Sequence, residues 1–320
     1  MDWSFSINAL FATIPVYILV VVGFFARKRE IISAPATTSL SKFSIDIAIP
    51  CFILYNMLRN DKLRDIGLSL SAMSVGAGSL ILGIAVSLFM ARFVLGLKVG
   101  TNLRTFGAST GVQNYGFFVL SVLLLLFDTN GADSQIMGVA LVHNVGCDLM
   151  FWSLCFLLLA QGVPFSLKLF LKAPIIAVFV GLFCVWTHLN DFVPDFLMNA
   201  FYLIGCAAIP LSLMLFGAML YESWSFESFN FKLVGFAVFL RMLLLPAIML
   251  GFAYILPVAK ELKYIIILQA AAPASMTTAV LAKYFSGDPK LSIHIIFATL
   301  VVALITLPIC LAIGFNYIIL

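Results

Sequence analysis

Charged side chains are scarce in this sequence, and their scarcity excludes several classes of protein. Lys and Arg contribute 18 residues and Asp and Glu 14, so only 10% of the 320 residues are charged, while 63% are hydrophobic. A water-soluble domain carries about a quarter charged residues. The net charge of +4 provides no polybasic face for nucleic acid. The composition therefore predicts an all-α polytopic membrane protein whose first partner is the lipid bilayer.

Motifs for enzymatic or metal chemistry are also lacking. The sequence has three His residues, six Cys residues without CxxC spacing, and no HExxH run. Residues 107–111 match the G-x-S-x-G string of serine hydrolases, but that motif requires a strand–turn–helix context, and this stretch lies in an apolar run. We therefore expect no enzymatic activity, no cofactor and no bound metal.

Long apolar runs dominate the sequence. A helix needs about 20 residues to cross the hydrocarbon core of a bilayer. Ten such spans are predicted, and the loops between them are too short for a soluble domain. Their approximate bounds are residues 7–26, 38–57, 68–92, 105–127, 135–160, 172–189, 196–221, 232–255, 263–284 and 291–318.

Basic residues are distributed unevenly between alternate loops. One set of loops and adjoining span ends holds Arg27, Lys28, Arg29, Arg92, Lys98, Arg104, Lys168, Lys172, Lys232, Lys283 and Lys290, and the other set holds Arg59, Lys62, Arg64, Lys260 and Lys263. The side richer in basic residues is normally cytoplasmic. We therefore expect a multi-pass protein of the inner (plasma) membrane with both termini outside the cytoplasm.

An internal repeat is visible in the apolar pattern. Ala48-Ile49-Pro50 of the second span recurs as Ala208-Ile209-Pro210 of the seventh, 160 residues later. A unit of five spans crosses the bilayer an odd number of times, so its second copy must be inverted. The sequence thus predicts a first five-helix repeat over residues 1–160 and a second, inverted one over residues 165–320.

Two spans contain helix breakers and polar side chains at matching positions of the repeats. The fourth has Gly111 and Gly116 around Gln113 and Asn114. In the ninth, Pro273 removes a backbone donor and frees the carbonyl four residues earlier, and Ser275 and Thr277 follow. Non-helical backbone at this depth is tolerated where it is buried or lines a cavity. The pattern predicts a site at which half-helix N-termini attract an anion, although such glycines are also typical of close helix packing.

These stretches resemble the auxin efflux carrier family, whose bacterial permeases are related to the plant PIN-type auxin transporters. The resemblance rests on residues 40–58, LSKFSIDIAIPCFILYNML; 114–117, NYGF; 203–220, LIGCAAIPLSLMLFGAML; 268–292, LQAAAPASMTTAVLAKYFSGDPKLS; and 298–309, ATLVVALITLPI. The 268–292 stretch is the most specific of these. One departure is that Phe118–Ser121 lack the Gly and Pro that commonly follow in the family.

The resemblance implies a bile-acid-symporter-like fold of ten helices in two inverted repeats. Spans 1, 2, 6 and 7 would form a scaffold, through which a homodimer could also assemble, and spans 3–5 and 8–10 a transport unit. Broken helices 4 and 9 would cross at the substrate site, with Asn114, Gly116 and Pro273 at the crossing. Similar proteins move small organic anions such as malate, malonate or auxin.

Four ionisable residues are predicted within the membrane, where charge is costly and therefore a functional candidate. Lys42 and Asp46 lie one helical turn apart, which favours a structural ion pair. Asp148, near His143 and Asn144 in the fifth span, is the candidate for proton or cation coupling. A structural role is the alternative for Asp148, as a buried partner of Arg241 or of helix-capping groups freed by the broken helices, and Arg241 could instead attract the anion.

Three functional hypotheses follow from the sequence. The first is a secondary transporter of small organic anions that works by an elevator-type alternating-access mechanism, with Gln113, Asn114, Gly116, Pro273, Ser275 and Thr277 at the substrate site. A sodium-coupled symporter of the bile-acid-carrier type is the alternative within the same fold. A membrane sensor is the alternative from another class.

Overall fold

A computed structural model describes residues 3–127, 135–161, 171–223, 229–285 and 287–319. Within these ranges the chain is almost entirely helical. The helices are α1 (Trp3–Lys28), α2 (Ala34–Leu58), α3 (Ile66–Phe93), α4 (Thr101–Gly111), α5 (Phe117–Leu126), α6 (Gln135–Leu159), α7 (Ala173–Trp186), α8 (Asp195–Glu222), α9 (Phe231–Ile255), α10 (Lys260–Ala271), α11 (Met276–Tyr284) and α12 (Pro289–Ile319).

The predicted class, an all-α polytopic membrane protein, is confirmed. Six described helices are long and apolar enough to cross a membrane: α2, α3, α6, α8, α9 and α12. The fourth and ninth predicted spans each appear as two shorter helices in line, α4 with α5 and α10 with α11. The total of ten crossings, like the division into inverted repeats, stays a prediction.

Prolines deform three of the long helices. A proline lacks an N–H group and clashes with the carbonyl four residues earlier, which favours a widened or broken turn before it. In α2 a π-helical turn, Ser44–Ala48, directly precedes the Ile49–Pro50 step. In α9 the π-helical turn Leu240–Leu244 precedes Pro246 in the same way. In α8 a turn at residues 206–207 precedes Pro210. The Ala-Ile-Pro repeat thus marks a distortion in both of its copies.

Ion pairs between loops show which helix ends share a face of the molecule. Arg27 at the end of α1 pairs with Glu222 at the end of α8, with Nε and Oε1 2.6 Å apart. On the opposite face Lys62 pairs with Glu261. The same face contains the pair of Arg64 with Asp191, whose Nη2 and Oδ1 are 2.6 Å apart. The ends of α1 and α8 therefore share one face, and the α2–α3, α7–α8 and α9–α10 connections share the other, while the alternation of all helices and the assignment of either face to the cytoplasm stay predictions.

Helix packing divides into a few extensive contacts. α1 packs along the second half of α8, and α2 packs against α7 and the first half of α8. α3 packs along both α6 and α4, and α9 packs against α10. The two broken helices lie among these contacts and approach each other at their interruptions.

Candidate functional site

The two helix interruptions meet and pair through their backbones. The N–H of Asn114 donates to the carbonyl of Pro273 at 2.8 Å, and the N–H of Ser275 donates to the carbonyl of Val112 at 3.0 Å. Gln113 and Ala274 thereby form an isolated antiparallel bridge. Unpaired backbone groups in a membrane cost several kcal/mol each, so each interruption satisfies the other. The pairing defines a crossing, residues 112–115 with 272–275.

The first interruption depends on two glycines with different surroundings. α4 ends at Gly111, where an added Cβ would lie 2.6 Å from the backbone of Ile84 in α3. Gly116 precedes α5, and a Cβ there would meet nothing within 4 Å. The side-chain Oδ1 of Asn114 accepts from the N–H of Phe118 at 3.3 Å and so caps α5. The interruption therefore lies between the two glycines that the sequence indicated.

The second interruption is held by a buried cation. Arg241 of α9 is fully buried, and its Nη2 donates to the carbonyl of Gln269 at 3.1 Å. Its Nε donates to the carbonyl of Ala272 at 3.2 Å. The carbonyl of Gln269 is the one that Pro273 leaves without its helical donor. Capping of freed backbone carbonyls by Arg241 was not among the roles that the sequence suggested for it, and the suggested Arg241–Asp148 pair is not formed in the described residues.

A cavity of about 180 Å³ lies beside the crossing. Its polar lining residues are Asn114, Tyr115, Asn144, Asp148, Ser275 and Thr277, and Gly116 lies among them. The apolar part of the wall includes Ile49, Ala208 and Ile209, from the two Ala-Ile-Pro segments. Asp148, Trp152 and Thr277 also line a second cavity of about 450 Å³, which runs between α2, α7 and α8 on one side and α6 and α11 on the other.

Two helix N-termini lie at this cavity. Gly116 is the residue at the N-cap position of α5 and Ser275 the one at that of α11, neither makes a side-chain capping bond, and both line the cavity. In the described part of the chain, the backbone N–H groups of Phe117, Met276 and Thr277 donate to no protein acceptor. Free N–H groups and the helix dipole make such a terminus partially positive. The cavity wall therefore carries positive backbone charge, although none of the described residues that line it has a basic side chain.

Asp148 is the acidic side chain of this cavity. The Tyr115 hydroxyl donates to Oδ1 of Asp148 at 2.5 Å. Lys172, at the start of α7, interacts electrostatically with Asp148 and Asp46. The Nζ of Lys172 also lies 3.6 Å from the ring centroid of Trp152, a cation–π contact in the wall of the larger cavity.

The predicted site residues separate into three groups. Asn114, Gly116, Ser275, Thr277 and Asp148 line the cavity. Gln113 is fully buried and its side chain bonds Ser79 and Gln269 behind the crossing, while Pro273 contributes its carbonyl. Arg241 lies behind the second interruption. The sequence prediction missed Tyr115 and Lys172 and treated Asn144 only as a neighbour of Asp148, because an aromatic residue or a basic span end gives no signal of a cavity.

The predicted ion pair of Lys42 with Asp46 is corrected by the structure. Among the ion pairs of the described residues, none joins these two side chains. The spacing of four residues assumes a regular α-helix, but the π-helical turn Ser44–Ala48 widens α2 at Asp46.

Comparisons with known proteins agree with a transporter. The family described as membrane transport protein, which comprises the auxin efflux carriers, matches residues 9–168 and 162–311. An uncharacterized transporter from Methanothermobacter thermautotrophicus is similar, at 25% identity over 300 residues that cover 92% of this chain and 94% of that protein. Both likenesses extend over both halves of the chain, including the two interruptions.

Proposed function

The chain belongs to the membrane transport protein family of auxin efflux carriers, and from this premise we propose that it is a secondary transporter of small organic anions. Substrates would be carboxylates of the malate, malonate or auxin type. The protein would lie in the inner (plasma) membrane with both termini outside the cytoplasm, and the scaffold helices α1, α2, α7 and α8 could form a homodimer.

The observation that carries this proposal is the paired crossing beside a cavity. Two helices that are interrupted in mid-course expose their N-termini to one small space. A carboxylate placed there would accept hydrogen bonds from the free N–H groups of α5 and α11 and from side chains such as Asn114 and Thr277. Because hydrogen bonds to charged groups are the strong ones, this arrangement favours an anion without any basic side chain.

An elevator-type movement is supported by the position of the larger cavity. It separates α2, α7 and α8 from α6 and α11 and continues the site cavity toward Lys172, Glu222 and Lys283. The Lys172 and Lys283 positions belong to the face predicted to be cytoplasmic. The structure would then correspond to an inward-facing state, from which the broken helices slide along the scaffold to reach the other face.

Asp148 is proposed as the coupling group. It lines both cavities, and its only described hydrogen-bond donor is the Tyr115 hydroxyl. A carboxylate beside a bound anion would repel it, so a proton taken up by Asp148 would allow the anion to bind. Proton and substrate would then cross together.

Uptake of labelled carboxylates into proteoliposomes tests the proposal. We expect uptake by the wild type and at least a tenfold lower kcat/KM for Asn114→Ala, because each hydrogen bond to a charged group contributes about 1.5–3 kcal/mol. Asn316→Ala is the matched control, since the Asn316 side chain bonds only the carbonyl of Ala312 within α12. Unchanged transport by Asn114→Ala would remove Asn114 from the site.

Ion replacement separates the proposal from its alternatives. Replacing sodium by choline should leave uptake unchanged, and a loss would favour the sodium-coupled symporter. Binding of carboxylates by a purified protein that moves none of them would favour the membrane sensor. An imposed proton gradient should drive uptake by the wild type and not by Asp148→Asn.

A further inference from the structure

Gln269 lies at the centre of a buried network behind the crossing. It lies two residues before Ala271, the last residue of α10, and is fully buried. Its Nε2 lies 3.1 Å from Nδ1 of His143 and 3.4 Å from Oδ1 of Asn144. Its Oε1 accepts from Nε2 of Gln113 at 3.0 Å. The side chain thus joins the first interruption, through Gln113, to helix α6, through His143 and Asn144.

The orientation of every amide in this network follows from one fixed acceptor. The carbonyl of Tyr115 can only accept, so the Asn144 group that contacts it, at 3.1 Å, must be the NH₂. The Oδ1 of Asn144 then faces Gln269, which must present its own NH₂. Gln269 therefore turns its Oε1 toward the NH₂ of Gln113. Reversing any one amide would place two donors or two acceptors face to face.

The same logic fixes the tautomer of His143. Because Gln269 donates to Nδ1, this nitrogen is unprotonated and the ring carries its hydrogen on Nε2. The charged or titratable side chains nearby are Cys147 on α6, whose Sγ lies 3.8 Å from Nδ1, and Arg241 on α9, which donates to the backbone of Gln269. From α3, Ser79 contributes a hydroxyl. In the described residues, no carboxylate contacts the ring to favour a charged His143.

The network decides which groups the cavity presents to a ligand. Asn144 lines the cavity and uses one hydrogen of its NH₂ for the Tyr115 carbonyl, which leaves the second hydrogen free. Asn114 also lines the cavity, and its Oδ1 is occupied by the N–H of Phe118, which leaves its NH₂ free. Both asparagines consequently offer donors and withhold their acceptors from the cavity.

We propose that Gln269 is the positioning residue that fixes this donor polarity, and so selects anions over neutral or cationic solutes, although it does not touch the substrate. This inference rests on the proposed function. Gln269 acts through Asn144: it holds Oδ1 away from the cavity by donating to it. Without that bond the Asn144 amide could turn and present an acceptor to the anion.

A double-mutant cycle with Gln269→Met and Asn144→Ala tests the proposal. Methionine keeps the length of the side chain and removes both of its polar ends. We expect each single variant to raise the KM for a transported carboxylate by roughly five- to tenfold with little change in kcat, because substrate binding loses one oriented donor. The double variant should be no worse than Asn144→Ala, since Gln269 has no effect once Asn144 is absent.

Additive effects on KM would overturn the proposal, because a purely structural role of Gln269 does not pass through Asn144. The melting temperature of each variant is recorded in parallel. Gln135→Met is the control, since the Gln135 side chain is half-buried at the start of α6 and lines neither cavity.

A second variant keeps the test decisive if Gln269→Met does not fold. Gln269→Glu preserves shape and polarity but offers only acceptors when ionised. It should raise KM more than Asn144→Ala does, and an unchanged KM would contradict the inference. If the wild type transports no carboxylate, the proposed function itself fails. If the wild type transports and the variants retain its KM, only the role of Gln269 fails.

Discussion

The two interruptions at the crossing pair with each other through their backbones but are stabilised by different chemistry. The first contains no proline and no charge, and it depends on Gly111 against α3 and on the Asn114 cap. The second contains Pro273, and its freed carbonyls are capped by Arg241, while Thr299 accepts from the N–H of Ala274 at 3.1 Å. What the two interruptions share is therefore their backbone pairing with each other, and not a particular helix-breaking residue.

The largest effect should come from removing the cation of the second interruption. Arg241→Met removes the donor to the buried carbonyl of Ala272 and leaves the carbonyl of Gln269 with only the N–H of Ala272, and we expect the free energy of unfolding to fall by about 3–5 kcal/mol. Denaturant unfolding in mixed micelles measures this. Arg92→Met is the control, because Arg92 caps the carbonyl of Leu97 at an exposed position where water can replace it. Equal losses in the two variants would contradict a special role for Arg241.

The corresponding change at the first interruption is Gly111→Ala. The new methyl group would overlap the backbone of Ile84, so α3 and α4 must separate, at a cost of about 2–3 kcal/mol. Gly116→Ala is the matched control on the other side of the same interruption, where the methyl group has open space and stability should change little. Melting temperatures of both variants compare them directly. If Gly111→Ala has the same melting temperature as the wild type, close packing against α3 is not what ends α4.

A smaller effect is expected at the polar support of the second interruption. Thr299→Val is isosteric and removes the acceptor of the buried Ala274 N–H, which should cost about 1–2 kcal/mol. Thr306→Val, in the same helix, removes a hydroxyl that bonds only the carbonyl of Val302 and should be nearly neutral. Hydrogen exchange at Ala274 should increase only in the first variant, and an unchanged rate there would argue against this bond.

The smallest effect is expected from Pro273→Ala. Alanine keeps the carbonyl that accepts from Asn114, so we expect the interruption to persist and the stability to fall by only about 0.4–1 kcal/mol, through the unfolded state. Circular dichroism should show no gain of helix. A continuous helix over residues 260–284 in this variant would instead mean that the proline imposes the second interruption. Pairing with the first interruption would then not be sufficient to maintain it.

Much of the site could be predicted from the sequence because its breakers act locally. Gly111, Gly116 and Pro273 weaken a helix through local backbone properties, and each interruption lies where the sequence indicated. Side-chain partners were less predictable. The spacing of Lys42 and Asp46 suggested a pair that the π-helical turn in α2 prevents. Gln113, predicted to bind substrate, turns away from the cavity toward Gln269.

The amino-acid sequence by itself determined the solvent of this protein, its helices and the positions of its interruptions, because hydropathy, helical length and backbone restrictions are properties of neighbouring residues. Only the tertiary structure decided that Arg241 caps the carbonyl of Gln269 rather than pairing with Asp148, and that Asn144 faces the cavity. Helical periodicity places a side chain on one side of its own helix. Its partner depends on how distant helices pack, which no local pattern specifies.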